Sequence, residues 1–201
     1  MTLAKFISWL TKKGLTLAVA ESCTGGLICH KLTAIPGASK VFKEGTICYS
    51  DASKTKRLGI GKAVIERHGA VSPEVCRLMA KNITASEKTD LGISVTGIAG
   101  PSGLIASRRS IAAHPGAALR PAPLSLKRGE GEPRQRREPP AISPAEAGFG
   151  QRLWRGVGVV YIGINIKGKV TVHKYNFRGT RNNIQEQAAQ ESLRLLERKI
   201  R

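Results

Sequence analysis

The 201-residue sequence predicts an α/β fold built on an open parallel or mixed sheet. Three observations carry that expectation. An apolar run, Leu15 to Ala20, leads through a short polar turn into a helical segment. A second apolar run, Leu91 to Thr96, ends in another turn of small residues, Thr96 to Gly103. Strand, small turn and helix in succession are the unit of α/β sheets, and short unbroken apolar runs read as strands buried on both faces. Finally, Val157–Ile166 and Lys169–Phe177 flank the tight turn Lys167-Gly168, which is the pattern of a β-hairpin.

Taken in order, Met1–Lys13 places Leu3, Phe6, Ile7 and Leu10 on one face and ends in Lys12-Lys13-Gly14, an amphipathic helix with cations and glycine at its stop. Leu15–Ala20 is the first strand. The turn Glu21-Ser22-Cys23-Thr24-Gly25-Gly26 follows, and Thr24–Ala34 is helical until Ile35-Pro36-Gly37 breaks it. After a loop at 37–40, Val41–Ser50 is rich in β-favouring residues. Asp51 or Ser53 caps a short helix to Leu58-Gly59, and Lys62–Arg67 forms another. Ser72 as N-cap, Pro73 at the first helical position and Glu74 in the first turn open a helix to about Ser86, whose apolar face is Val75, Leu78, Met79 and Ile83. The last helix spans Arg181–Lys199.

Between Leu104 and Arg155 the pattern collapses. The stretch holds seven of the ten prolines, ten Lys/Arg and four Asp/Glu. Its composition predicts disorder, and a structureless loop of that length is foreign to a compact domain, so 104–155 reads as an insertion. The net charge of +19 suggests polyanion affinity. The charge is dispersed, however, with no basic recognition helix and no aromatic-interleaved signature, so only nonspecific nucleic-acid binding is expected. No apolar run is long enough to span a bilayer and the opening helix lacks a signal-peptide core, which predicts a cytoplasmic protein without membrane contact. Cys23, Cys29, Cys48 and Cys76 have neither CxxC nor zinc-ligand spacing and read as reduced thiols. Cys23, beside Ser22 at a helix start, is kept as a rival nucleophile because that position can lower a thiol pKa. Ser53-Lys54-Thr55-Lys56 fits S-x-x-K, a pattern of low specificity, and Gly59-Ile60-Gly61-Lys62 lacks P-loop spacing.

With these motifs placed, the chain resembles the CinA C-terminal domain family, the nicotinamide-nucleotide amidohydrolases. The resemblance rests on Ala20-Glu21-Ser22-Cys23-Thr24-Gly25-Gly26; on Gly45 through Tyr49-Ser50 to Lys54 and Leu58-Gly59; and on His68-Gly69-Ala70-Val71-Ser72. It continues with Thr96 to Gly103, Val157-Gly158 with Val160-Tyr161-Ile162-Gly163, and Phe177-Arg178-Gly179 with Arg181 and Ile184. These stretches occur in family order over residues 1–103 and 156–201, one domain interrupted by the insertion. The resemblance implies a three-layer α/β/α domain with a mixed sheet, a homo-oligomer, and no metal or organic cofactor. It further implies hydrolysis of the carboxamide of nicotinamide mononucleotide to nicotinate mononucleotide and ammonia, a step of pyridine nucleotide salvage.

Amide hydrolysis needs a nucleophile, a proton carrier and donors for the oxyanion. Within the matched motifs the candidate catalytic residues are Ser22 and Ser39 as alternative nucleophiles, with Tyr49, Lys54 and His68 as proton carriers. A phenol at Tyr49 would be activated if Lys54 lay beside it. Glu21, Thr24, Gly25, Gly26, Thr96, Gly97, Gly100 and Ser102 are expected to contact the substrate, through hydroxyls or through backbone N–H groups at the helix N-terminus, with Glu21 alternatively orienting a hydroxyl or capping a helix N–H. Arg178 and Arg181 suit its phosphate. The rival expectation is a catalytically silent nucleotide-binding or protein-interaction module, favoured by an insertion that starts directly after a substrate turn.

Overall fold

The computed structural model describes residues 1–100 and 156–200. The elements in chain order are α1 (Leu3–Lys12), β1 (Leu17–Glu21), α2 (Leu27–Thr33), a 3-10 turn (Ala38–Lys40), β2 (Phe42–Ile47), α3 (Asp51–Leu58), α4 (Lys62–His68), α5 (Pro73–Ser86), β3 (Leu91–Gly97), β4 (Val159–Ile166), β5 (Lys169–Asn176) and α6 (Arg181–Ile200). The expected insertion at 104–155, and Ser102 with it, lie outside the described residues.

The strands form one mixed sheet in the order β2-β1-β3-β4-β5. Strands β1, β2 and β3 run parallel, with Leu17 opposite Leu91 and Glu21 opposite Val95. The hairpin β4–β5 then adds antiparallel to β3. At its turn the Asn165 side-chain oxygen accepts a hydrogen bond from the Gly168 N–H at 2.9 Å.

Alternation along the strands divides the core into two layers around the sheet. Leu17 and Val19 of β1, Ile93 and Val95 of β3, and Ile162 and Ile164 of β4 pack with Phe6 and Leu10 of α1, Ile28 of α2 and Leu196 of α6. Ala18 and Ala20 point the other way, toward Leu58 of α3, Ile65 of α4, and Val75 and Met79 of α5. Both faces are thus covered, which is why β1 and β3 are buried along nearly their whole length and are made mostly of apolar and small residues. The α5 side is lined by small residues because that helix lies close. A methyl group at Gly92 would overlap the Thr84 hydroxyl, and one at Gly163 would lie 3.2 Å from the Cys76 carbonyl oxygen.

Several boundaries differ from the sequence expectation for local reasons. Helix α2 starts at Leu27, not Thr24, because its N-cap is Gly26 in the left-handed region. Strand β2 ends at Ile47, since the chain must turn for Ser50 to cap α3. That cap is neither Asp51 nor Ser53 alone. Ser50 accepts from the Ser53 N–H while Ser53 accepts from the Ser50 N–H, a reciprocal capping box. The Ser72–Pro73 start of α5 is as the sequence predicts, with Ser72 accepting from the Val75 N–H.

Candidate active site

The site lies where the parallel strands end. After β1 the chain needs a sharp turn to enter α2, and Gly25 (φ 63°) and Gly26 (φ 102°) supply the two left-handed residues that make it. The turn places Ser22 at the carboxyl edge of the sheet with 7% of its surface exposed. Strand β2 ends alongside, and the Cys48 N–H donates to the Glu21 carbonyl at 2.7 Å. Helix α3 begins three residues later and turns its Lys54–Leu58 face inward.

Lys54 is the centre of the arrangement. Its side chain is 1% exposed. Nζ donates to the Cys48 carbonyl at 3.0 Å and to Ser22 Oγ at 3.3 Å. No carboxylate pairs with it among the described residues. Burial disfavours the ammonium and pushes the Lys54 pKa below the ordinary lysine value; the negative charge of Asp51 in the same helix opposes part of that shift. A serine hydroxyl held against a buried lysine with a lowered pKa has the parts of an activated nucleophile. Two residues on, the Thr24 hydroxyl is buried and has no hydrogen-bond partner among the described residues.

Of the two serines, only Ser22 meets the lysine. Ser39 is exposed in the 3-10 turn that precedes β2. The Val41 carbonyl just after it bonds the Leu17 N–H, at the opposite end of β1 from Ser22. The length of β1, roughly 16 Å at 3.3 Å per residue, therefore separates Ser39 from the site. The expectation of Ser39 as nucleophile is corrected on that ground. Tyr49 is 64% exposed, and the Lys54 amine is engaged with Ser22 and Cys48 instead, so the proposed Tyr49–Lys54 relay is not formed. His68 ends α4, where its Nδ1 lies 3.8 Å from a Glu74 carboxylate oxygen, and the contacts of Lys54 Nζ are to Ser22 and Cys48 and not to His68.

Cys23 is corrected as well. It is buried, and burial pushes its thiol up to about 12, the opposite of the lowering expected at a helix start. The local S-x-x-K also dissolves: Ser53 serves the α3 cap, and the lysine partner is a serine 32 positions earlier.

The glycine turn is filled from within. The Glu21 carboxylate, wholly buried, accepts from the N–H groups of Gly26, Ile28 and Cys29 at 2.9, 3.2 and 2.8 Å. A charged side chain of the protein thus occupies the donors that the sequence assigned to a ligand, and Glu21 is a helix cap rather than a substrate contact. The Gly26 N–H is consumed in the same way, whereas Gly25 is exposed with open space around it. At the end of β3 the Thr96 hydroxyl donates to the Ala70 carbonyl at 2.8 Å and fastens the loop before α5. A methyl at Gly97 would lie 2.7 Å from the Val159 carbonyl oxygen, so that glycine serves strand packing.

Helix α6 brings its N-terminus to the same edge. A methyl at Gly100 would lie 2.8 Å from an Arg181 guanidinium nitrogen, so the arginine lies across the second turn. Arg178 is exposed just ahead of the helix. One contact has no precursor in any motif: Gln185 Nε2 donates to the Cys23 carbonyl at 2.8 Å across 162 positions. A hollow of about 460 Å³ lies beside it, lined by Leu27, Asn182, Asn183, Gln185 and Glu186. Another, of about 380 Å³, lies between α1, α2 and α6 and includes Phe6, Lys31 and Leu193, remote from the Ser22–Lys54 pair. Among the described residues no cluster of His, Cys, Asp and Glu is placed to hold a metal ion, and no helix is long and apolar enough to cross a membrane.

A mixed sheet covered on both faces, with its polar cluster at the carboxyl ends of the parallel strands, defines a three-layer α/β domain. The chain belongs to the CinA C-terminal domain family, whose model matches residues 2–109 and 147–200. A competence-damage inducible protein of Caldicellulosiruptor bescii is 37% identical over 194 residues, covering 96% of this chain and 36% of that protein. A CinA-like protein of Kosmotoga olearia gives the same identity and the same coverage. The crystal structure of a competence-damaged protein (CinA) superfamily protein from Escherichia coli shares the fold, with a TM-score of 0.70 at 22% identity over 98% of this chain and 87% of that one. The chain spans about a third of the length of these curated relatives.

Proposed function

We propose that the chain is an amidohydrolase that removes ammonia from the carboxamide of nicotinamide mononucleotide, with Ser22 as nucleophile and Lys54 as its general base. The observation that supports this reading is the 3.3 Å contact between Ser22 Oγ and a buried lysine amine that lacks a carboxylate partner among the described residues. Lysine usually stays charged at neutral pH and cannot accept a proton. Desolvation lowers the Lys54 pKa and raises its neutral fraction, which favours proton acceptance from Ser22.

Ser22 Oγ forms a bond to the carboxamide carbon as its proton passes to Lys54 Nζ. The oxyanion is met by the Thr24 hydroxyl, which has no other acceptor among the described residues. When the C–N bond breaks, Lys54 returns the proton to the departing nitrogen and ammonia leaves. Water, deprotonated by the same amine, then cleaves the ester and restores Ser22. The chemistry calls for no cofactor. With the α2 N-terminus closed by Glu21, the substrate phosphate falls to cationic side chains, and Arg181 against the Gly100 turn, with Arg178 nearby, suits it. The substrate and the salvage role rest on the family resemblance; the serine–lysine chemistry rests on the geometry.

The test is ammonia release from nicotinamide mononucleotide by the intact chain, alongside Ser22→Ala and Lys54→Met. Turnover by the parent and loss in both variants is expected. Binding of the nucleotide without turnover by the parent would assign the chain to the silent-module alternative.

A further inference from the structure

Ser22 sits in a turn whose neighbours are held unequally. On one side Glu21 is fixed twice, through its carbonyl to the Cys48 N–H and through its carboxylate to three N–H groups of α2. Within the turn, the Ser22 carbonyl accepts from the Gly25 N–H and the Thr24 carbonyl from the Leu27 N–H. These bonds are local and come with the turn itself. The Cys23 carbonyl differs: its partner is a side chain, Gln185, projecting from the first turns of α6.

The same helix end reaches the second strand-end turn. Arg181, four residues before Gln185 and so on the same helix face, lies against Gly100. One face of α6 therefore spans both turns, gripping Cys23 after β1 and lying across Gly100 after β3. The carbonyl that Gln185 holds belongs to the Cys23–Thr24 peptide, one peptide unit beyond Ser22, so losing that anchor would loosen the turn that carries both Ser22 Oγ and the Thr24 hydroxyl and shift Ser22 Oγ relative to Lys54 Nζ. The dyad contact is already 3.3 Å, toward the long end for a hydrogen bond, so a small shift would break it.

We infer that Gln185 is a positioning residue for the nucleophile, acting through its hydrogen bond to the Cys23 carbonyl. The inference rests on the serine–lysine reading above and adds to it a distant residue that touches neither reacting group. Its essential property is a donor at this reach. An alanine removes the donor, a glutamate replaces it with an acceptor facing a carbonyl, and a lysine restores a donor of similar reach.

The experiment measures the nucleophilicity of Ser22 directly, so that it does not depend on the identity of the substrate. The intact chain, Gln185→Ala, Gln185→Glu and Gln185→Lys are reacted with a fluorophosphonate probe, and the adduct is followed by intact mass, with Ser22→Ala as the unlabelled control. Ammonia release from nicotinamide mononucleotide is measured on the same preparations. Labelling is expected to slow by roughly 10–100-fold in the alanine and glutamate variants and to recover substantially in the lysine variant. The same ordering is expected in kcat, with KM changed by less than about twofold. Parent-like labelling of Gln185→Ala overturns the inference, as does equal impairment of the alanine and lysine variants, which would mark a loss of packing instead. An unlabelled parent removes the serine–lysine reading and the inference together. A labelled parent that releases no ammonia removes only the assigned substrate and leaves the Gln185 result to stand.

Discussion

Replacing Lys54 with methionine isolates the chemistry of the amine from the packing of the stem. The methionine keeps most of the apolar length that fills the space between α3 and the sheet, while deleting the group that touches Ser22 Oγ and the Cys48 carbonyl. General-base assistance contributes about 10²–10⁴ in rate, or about 3–5 kcal/mol in the barrier, and that loss is expected in kcat/KM. Stability should change little by comparison. The Cys48 carbonyl loses its donor, which costs about 1–3 kcal/mol, but the desolvated amine disappears as well, which offsets part of that cost. The pH dependence separates the two effects. Because burial lowers the Lys54 pKa below 10.5 in the folded state, the unfolded chain binds the extra proton over the interval between the two values. The parent should therefore gain stability as pH rises through that interval, and Lys54→Met should lack the gain. Parent kcat/KM should rise with pH as Lys54 loses its proton, at a pH below the ordinary lysine value. Lys54→Arg, which cannot deprotonate, should be as inactive as the methionine variant. Ammonia release across a pH series and urea unfolding at matched pH values read both quantities. A Lys54→Met protein that keeps more than about a tenth of parental turnover would refute the assignment of Lys54 as base.

Four further outcomes are expected. Ser22→Ala should abolish ammonia release while Ser39→Ala leaves it at the parental level, since Ser39 is exposed at the other end of β1; equal loss in both would contradict this placement. Glu21→Gln should lower folding stability by about 1–3 kcal/mol in urea unfolding, because the amide keeps one acceptor oxygen but not the charge at the α2 N-terminus; an unchanged midpoint would disprove the cap. Cys23, pushed up to about 12 and buried, should resist iodoacetamide at pH 8 in the folded protein and react on unfolding, as peptide mass mapping would show. The Asp90 carboxylate accepts from the Thr16 N–H and hydroxyl at 2.9 and 2.8 Å, which holds its pKa below the ordinary value. Its contribution to stability is thus present above the unfolded-state value and is lost as pH falls through the folded one, so Asp90→Asn should flatten the acid side of the stability profile.

Much of the fold was legible because burial on both faces writes itself into sequence. Leu15–Ala20 and Leu91–Thr96 are predominantly apolar, broken only by Thr16, Ser94 and the closing Thr96, and each holds an interior strand of the sheet. Ser72-Pro73-Glu74 announces a helix start through its own stereochemistry, and α5 begins there. The site was less legible, for reasons that differ by residue. Lys54 lies in a charged stretch, Asp51 to Arg57, where composition does not tell which lysine turns inward; only its spacing of four from Leu58 hints at a buried face. Ser39 was excluded by topology rather than by local chemistry. In a parallel pair, residues that precede a strand lie at the opposite edge from residues that follow one, so within the chain Ser39 before β2 and Ser22 after β1 lie at opposite edges of the sheet. Gln185 carried no signal at all, since its partner is a backbone carbonyl in a distant turn.

Glu21 shows why a strand–turn–helix motif is ambiguous by nature. Exposed helix N–H groups attract any anion, and nothing in the pattern says whether the anion arrives from solvent or from the chain. Here the carboxylate is supplied from the last residue of β1, reaching forward to Gly26, Ile28 and Cys29. The consequence for the candidate site is positional. Glu21 locks the strand end to the helix start on one side of Ser22, while the Cys48 strand end beside it supplies both the N–H that holds Glu21 and the carbonyl that holds Lys54. The proposed nucleophile and base, Ser22 and Lys54, are therefore referenced to the same two adjacent parallel strands. That shared framework lets a serine and a lysine 32 residues apart keep a hydrogen-bonding separation with neither on a flexible arm.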